Sequence, residues 1–134
     1  MDNTYKSTSS AVYLINYHFV FCPRYRRKIF LIPDVEDRFR KLVADICNEL
    51  GIEVIAMECD EDHTHLFLNC RPDIRPSDIM FRIKGFTAKK LREEFSELSK
   101  MKSLWTRSFF CSTDENISSE IVREYVEKQK KRYY

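Results

Sequence analysis

The stretch Gly51-Ile52-Glu53-Val54-Ile55-Ala56-Met57-Glu58-Cys59-Asp60-Glu61-Asp62-His63-Thr64-His65-Leu66-Phe67-Leu68-Asn69-Cys70 decides the fold. Asp60-Glu61-Asp62 is a tight polar turn, so Gly51 to Cys59 and His63 to Cys70 read as two paired strands. Helical patterns flank this hairpin on both sides. Before it, Val35, Phe39, Leu42, Val43, Ile46 and Leu50 recur at helical spacing between Asp34 and Leu50. Asp34, following Pro33, is expected to cap that helix, and Gly51 to stop it. After it comes a loop flanked by Pro72 and Pro76. Ile79, Met80, Ile83, Phe86, Ala88, Leu91 and Phe95 then place a second helix from Ser77 to Phe95. Gly85 inside that helix costs about 1 kcal/mol relative to alanine, which has no evident reason unless something approaches closely.

Two further strands complete the pattern. Ala11 to Cys22 is rich in β-branched and aromatic residues and apolar on both faces, except that Asn16 and His18 share one face. Trp105 to Cys111 is aromatic enough for a short last strand. Residues 96 to 104 read as a loop, 113 to 118 as a polar connection, and Ser119 to about Lys131 as a third helix. The order is βαββαβ plus a C-terminal helix. This is an α+β fold of ferredoxin-like or RNA-recognition-module topology, an antiparallel sheet with two helices on one face. The first and third strands should be central neighbours, and the other face is left for a ligand or the extra helix. Residues 1 to 134 read as one domain, with residues 1 to 9 a loose polar arm.

Hydrophobic residues make up 43% of the chain, enough for a core, and only 2 glycines and 4 prolines argue against disorder. The net charge is only +2, but the charge is segregated. Arg24, Arg26, Arg27 and Lys28 form one basic cluster; Arg82, Lys84, Lys89, Lys90 and Arg92 a second; Lys128, Lys130, Lys131 and Arg132 a third. Acidic residues gather between Asp34 and Asp62. Such segregation favours a phosphate-binding surface over a merely solvated one. The 5 cysteines are odd in number and form no C-x-x-C pair. With no secretory leader or membrane-length apolar run, a reduced, cytoplasmic protein without membrane attachment is expected.

Three constellations carry chemistry. His63 and His65 alternate on a strand, so both imidazoles project from one face within reach of one cation. Two satisfied surface histidines would look the same. Cys59 and Cys70 invite a zinc reading, but Cys70 lies five residues from His65 and points to the opposite face. Tyr125 and Gln129 lie four apart on the last helix and share a face, with Cβ atoms ~6 Å apart; beside Ile117, Ile121, Val122 and Val126, the tyrosine could equally border an apolar stripe. Joined with the histidine pair, they suit phosphoryl transfer to a phenol, in which tyrosine takes the 5′ phosphate and frees a 3′-OH. Two imidazoles and an amide oxygen suit Mg²⁺ or Mn²⁺ with open positions. Finally, Arg24, Tyr25, Arg26, Arg27 and Lys28 interleave charge with an aromatic, a composition suited to single strands.

These residues resemble the single-tyrosine HUH transposases of small single-strand-transposing insertion sequences, from about Val12 to Arg132. Asn16-Tyr17-His18-Phe19-Val20-Phe21-Cys22-Pro23-Arg24-Tyr25-Arg26-Arg27-Lys28 is similar to the family's first strand and basic loop, and Asp62-His63-Thr64-His65-Leu66-Phe67-Leu68 to its histidine strand. Ile83-Lys84-Gly85-Phe86-Thr87, Leu104-Trp105-Thr106-Arg107-Ser108-Phe109-Phe110, and Glu115 to Ser118 onward through Tyr125 and Gln129 follow in order. The resemblance implies Tyr125 as nucleophile, His63, His65 and Gln129 as metal ligands, and Arg24 to Lys28 with Lys84 as DNA contacts. His18 is expected beside the histidine pair in a supporting role. It also implies a homodimer joined through its sheets, acting on hairpin-bearing single-stranded DNA, with the tyrosine helix of one subunit able to complete the site of the other. Thr64 departs from the bulky apolar residue usual between the histidines, so a small packing loss is expected. The alternatives are a domesticated or replication-type nickase of the same superfamily, and a non-enzymatic single-strand-binding module.

Overall fold

The computed structural model describes residues 4–113 and 119–132. Residues 1–3 of the arm, the 114–118 connection with Ile117, and the side chains of the Lys130, Lys131 and Arg132 cluster lie outside the described residues. The arm carries a short hairpin, β1 (Lys6–Ser7) against β2 (Val12–Tyr13), and Lys6 reaches Glu53 at 2.9 Å. The expected strand from Ala11 is therefore divided, and its main part is β3 (Asn16–Phe21). Then come α1 (Val35–Leu50), β4 (Glu53–Asp60), β5 (His63–Asn69), α2 (Pro76–Glu94), the single turn α3 (Ser96–Ser99), β6 (Phe110–Ser112) and α4 (Ser119–Arg132).

The sheet runs β4-β5-β3-β6, every pair antiparallel. The two central strands are the expected ones, with Val20 opposite His65 and His18 opposite Phe67. Strand alternation sends Phe19 and Phe21 of β3 and Leu66 and Leu68 of β5 into the main core. There they meet Phe39, Leu42 and Ile46 of α1 and Ile79, Ile83 and Leu91 of α2. On the opposite face Val20 and Cys22 meet Val122 and Val126 of α4. Two helices thus cover one face, and the added helix lies on the other.

The sequence-based strand from Trp105 begins only at Phe110. Trp105 is drawn inward instead, edge-on to Phe21 at 4.9 Å, and its indole N–H donates to Thr87 Oγ1 at 3.0 Å. A buried indole needs such a partner. The backbone beside it bonds to the end of β3, Arg24 N to Leu104 O and Thr106 N to Cys22 O. Carbonyls that a strand would present to a neighbour are taken by Lys84, whose ammonium donates to Thr106 O at 2.6 Å and Ser108 O at 2.9 Å.

Asp34 does not cap α1 through its side chain; it takes a left-handed φ of 72°. Glu36 and Asp37 in the first turn face the positive end of the helix dipole instead. Gly51 does stop the helix, at φ 71°, its N–H bonded to Asn48 O and Cys47 O. A Cβ there would stand 3.3 Å from the Arg71 guanidinium. Gly51→Ala is expected to lower stability by about 1–2 kcal/mol, seen as an earlier urea midpoint; an unmoved midpoint would contradict the strain argument.

Candidate metal centre and nucleophile helix

Along β5 the side chains alternate without interruption. Thr64, Leu66 and Leu68 are buried on the core side, and His63, His65 and Phe67 occupy the other face. The His63 and His65 rings lie 5.1 Å apart. Across the hairpin turn, Asp60 is in register with His63. One ligand atom each from Asp60, His63 and His65 falls within 4.8 Å of the others. Asp60 was not legible as a partner, because the turn was expected to contain it. Thr64 finds compensation for its polarity: its hydroxyl donates to Glu58 O at 3.2 Å and lies 3.4 Å from Cys59 Sγ.

Each imidazole is held through its second nitrogen. His63 Nδ1 lies 3.0 Å from Asp62 Oδ1, and its Nε2 3.0 Å from Asp60 Oδ2. A proton on Nδ1 leaves an Nε2 lone pair that a cation, rather than a second proton, can share with the Asp60 carboxylate. His65 Nδ1 lies 3.0 Å from His18 Nε2. For His65 to offer Nε2 to a cation, Nδ1 must carry the proton and donate to His18. His18 stacks on Phe67 at 4.2 Å, and burial, then His65, lowers its pKa to about 4, so it is neutral at physiological pH. His65 is lowered too, by burial first and His63 second, which favours the neutral ligand form. A carboxylate and two neutral imidazoles within this span fit a divalent cation.

Behind His63 stands a buried ion pair. Arg26 donates to Asp62 Oδ2 from Nε at 3.0 Å and Nη2 at 2.8 Å. Burial alone would raise the Asp62 pKa, but hydrogen bonds from His63 and Arg26 outweigh it and hold the carboxyl below its ordinary range. The same guanidinium reaches Glu127 of α4 at 3.3 Å. Arg26, expected among the DNA contacts, is thus turned inward by a left-handed φ of 49°. Tyr25, at φ 61°, is 47% exposed between the guanidiniums of Arg24 and Arg27, each about 6 Å from its ring. Arg24 also donates to Ser103 Oγ at 2.6 Å, and exposed Lys28 lies 3.5 Å from Glu61. Lys84 is committed to its two carbonyls.

The last helix, α4, presents two flanks. A cavity of about 430 Å³ opens between the histidine strand and α4, lined on the helix by Val122, Arg123, Val126 and Glu127. At ~100° per residue, Tyr125 and Gln129 fall on the other side of the valine stripe. There they meet Ser108, a residue the sequence reading did not single out. Ser108 donates its hydroxyl hydrogen to Gln129 Oε1 at 2.8 Å, so the Tyr125 hydroxyl, also at 2.8 Å, donates to Ser108. Phe110 packs on the Tyr125 ring at 5.9 Å and on His18 at 6.1 Å. The structure therefore gathers His18, His63 and His65, adds Asp60, and keeps Tyr125 with Gln129 together on a separate flank.

The description "Transposase IS200 like" fits the family model that matches residues 11–129. The chain belongs to the IS200-like transposase family. It is 30% identical over 121 residues to the ISDra2 transposase TnpA of Deinococcus radiodurans, covering 88% of this chain and 86% of that one. It is 26% identical over 127 residues to the IS200 transposase of Salmonella typhimurium, covering 92% and 82%. A crystal structure of a candidate transposase from Deinococcus radiodurans R1 superposes with a TM-score of 0.86 at 27% identity, over 92% of this chain and 97% of that one. A REP-associated tyrosine transposase bound to a REP hairpin shares the fold, with a TM-score of 0.57 at 17% identity over 90% and 69%. Among the described residues of this IS200-like transposase, no helix is long and apolar enough to cross a membrane.

In this transposase Lys84 ties α2 to the segment that carries Ser108. Burial lowers its pKa from 10.5 to about 8. The folded value lies below the unfolded one, so between these pH values the unfolded chain binds more protons and stability rises with pH. Denaturation midpoints of the wild type are expected to gain on those of Lys84→Met from about pH 8 to 10. Parallel profiles would mean that the ammonium is not held as described.

Proposed function

We propose that this transposase cuts and rejoins single-stranded DNA at hairpin-bearing ends, with Tyr125 as nucleophile and His63, His65 and Gln129 as protein ligands of Mg²⁺ or Mn²⁺. The cluster of His63, His65 and Asp60 at a cavity walled by the tyrosine-bearing helix carries this reading. Asp60 joins the ligand set in the resting arrangement. The hairpin seen with the REP-associated relative supports the same class of substrate.

The chemistry follows from the groups present. Tyr125 Oη attacks the phosphorus; its bond to the 3′-oxygen breaks, and a 5′-phosphotyrosine forms. The phenol releases its proton and the leaving 3′-oxygen gains one, so charge balances. The phosphotyrosine keeps the ester energy, and a second 3′-OH reverses the attack to join a new strand. A phenol of pKa about 10 is a weak nucleophile at neutral pH, and a bound cation supplies Lewis-acid polarisation of the phosphate. His63 and His65 orient toward that position through Asp62 and His18.

The docked Tyr125 is a resting nucleophile, a hydrogen-bond donor to Ser108 on the flank away from the cavity. Reaction requires an α4, of the same subunit or of a dimer partner, that turns this flank to the histidines. The recognition-module alternative is weakened by α4 itself, which covers Val20 and Cys22 on the face where bases would stack.

Tyr125→Phe is expected to retain hairpin DNA affinity within about twofold while losing denaturation-resistant protein–DNA adducts; an adduct in that variant removes Tyr125 from its role. Mixing Tyr125→Phe with His63→Ala subunits restores adduct formation if the helix is exchanged between subunits, and leaves none if each subunit uses its own. His18→Phe is expected to weaken Mn²⁺ binding by roughly 10–100-fold. Calorimetry showing wild-type affinity would remove His18 from the site.

A further inference from the structure

Gln129 is not free to act as a ligand where α4 is docked. The atom an amide offers a hard cation is its oxygen. Gln129 Oε1 accepts the Ser108 hydroxyl hydrogen at 2.8 Å, and its Nε2 donates to Tyr125 O at 3.3 Å. The residue is only 1% exposed, so water does not compete for these contacts. It also lies on the flank of α4 turned away from the histidine cavity. The β4–β5 hairpin, in contrast, brings three donors together without any help from α4. Glu61 and Asp62 form a two-residue turn, which leaves Asp60 and His63 as the last facing pair of the two strands. Directly opposed side chains stand on one face, and His65 joins them two residues on. The ligand set implied by the family resemblance does not contain Asp60.

The contact between Asp60 and His63 calls for a positive charge. The ring of His63 stands between two carboxylates, with Nδ1 3.0 Å from Asp62 Oδ1 and Nε2 3.0 Å from Asp60 Oδ2. With its proton on Nδ1, the ring turns a lone pair toward the Asp60 oxygen. Neighbouring ligands of an octahedral cation with bonds of ~2.1 Å stand ~3.0 Å apart, so the two atoms already have that spacing. The Asp60 side chain is 69% exposed, held by little and easily released. Charge then separates the two candidate third ligands. A carboxylate offsets part of the charge of a divalent cation, and an amide does not. Asp60 therefore suits a cation held without DNA. A DNA phosphate brings a negative charge of its own, and two anions at one cation repel each other. Exchanging Asp60 for neutral Gln129 removes that repulsion and leaves a stronger Lewis acid for the phosphate.

We propose that Asp60 and Gln129 are alternative ligands of one divalent cation. Asp60 serves with His63 and His65 while Gln129 is bonded to Ser108, and it yields to Gln129 when DNA is bound and α4 turns its other flank to the histidines. Cation loading is then a property of the hairpin alone and precedes engagement of the helix. The proposal rests on the reading of His63 and His65 as metal ligands, and the experiment scores that reading separately.

Mn²⁺ affinity is measured by calorimetry on the full chain, free and bound to a hairpin oligonucleotide taken from the DNA flanking the gene. Every protein carries Tyr125→Phe, so that the DNA is not cut. In the free protein Asp60→Asn is expected to weaken Mn²⁺ binding by roughly tenfold or more, whereas Gln129→Ala stays within about twofold of the parent. On the hairpin the order reverses, and Gln129→Ala becomes the costlier change. Glu61→Gln removes the same charge one residue away; it is expected to change either affinity by no more than about twofold, which separates ligation from the general field. A free Asp60→Asn protein that binds Mn²⁺ like the parent would overturn the proposal, as would a free parent that binds none. So would a free protein weakened equally by Gln129→Ala, or a hairpin complex in which Asp60→Asn costs as much as Gln129→Ala or more. His63→Ala reports on the metal centre itself. Unchanged Mn²⁺ affinity in that variant defeats the histidine reading; with binding lost there, the Asp60 and Gln129 series alone decides the exchange.

Discussion

The forked contact between Arg26 and Asp62 joins the parts on which this molecule depends. The two side chains come from the turn after β3 and the turn between β4 and β5, and both are largely withdrawn from water. Asp62 spends its other oxygen on His63, and Arg26 spends its remaining reach on Glu127 of the last helix. One ion pair thus sets the orientation of the His63 imidazole and the seat of α4. Removing one partner of such a pair leaves an uncompensated charge and typically costs about 3–5 kcal/mol. The strained backbone at Tyr25 and Arg26, both at positive φ, is consistent with a loop over-determined by this contact.

A second chain of contacts runs from α2 to the tyrosine. Lys84 holds the carbonyl of Ser108, and the hydroxyl of Ser108 holds both Tyr125 and Gln129. The Tyr125 phenol is therefore hydrogen-bonded to a residue fixed from the core side. The two chains meet on α4 from its two flanks, Glu127 on one and Tyr125 with Gln129 on the other. Repositioning the helix means breaking these few polar contacts, each replaceable by water or by phosphate, and lifting Val122 and Val126 from Val20 and Cys22.

The order of strands and helices was legible because apolar periodicity changes cleanly between the two kinds of element, and the central pairing of β3 with β5 followed from topology. Strand parity placed His63 and His65 together and sent Cys70 to the core, where it is 1% exposed. What escaped depended on tertiary detail. Asp60 becomes a partner only through the hairpin register. Ser108 lies in a segment expected to be a strand, which the burial of Trp105 and the grip of Lys84 turn into irregular backbone. Arg26 looked like its basic neighbours until its left-handed φ turned it inward. Asp34 had the right chemistry for a cap, but its own φ removed its side chain from the task. The i, i+4 relation of Tyr125 and Gln129 was legible; the direction their flank faces was not, because it depends on where the helix docks.

The apolar seat of α4 is small. Four buried residues form it, Val20 and Cys22 beneath and Val122 and Val126 above. Burying two valines contributes on the order of 3 kcal/mol, and a helix of 14 residues is marginal on its own in water. The amides of α4 should therefore exchange with solvent through a local opening far less costly than global unfolding, while those of β3 and β5 report the whole fold. The sheet that holds the histidines and the element that bears the phenol are then separate cooperative units, and the molecule joins a rigid part to one that equilibrates.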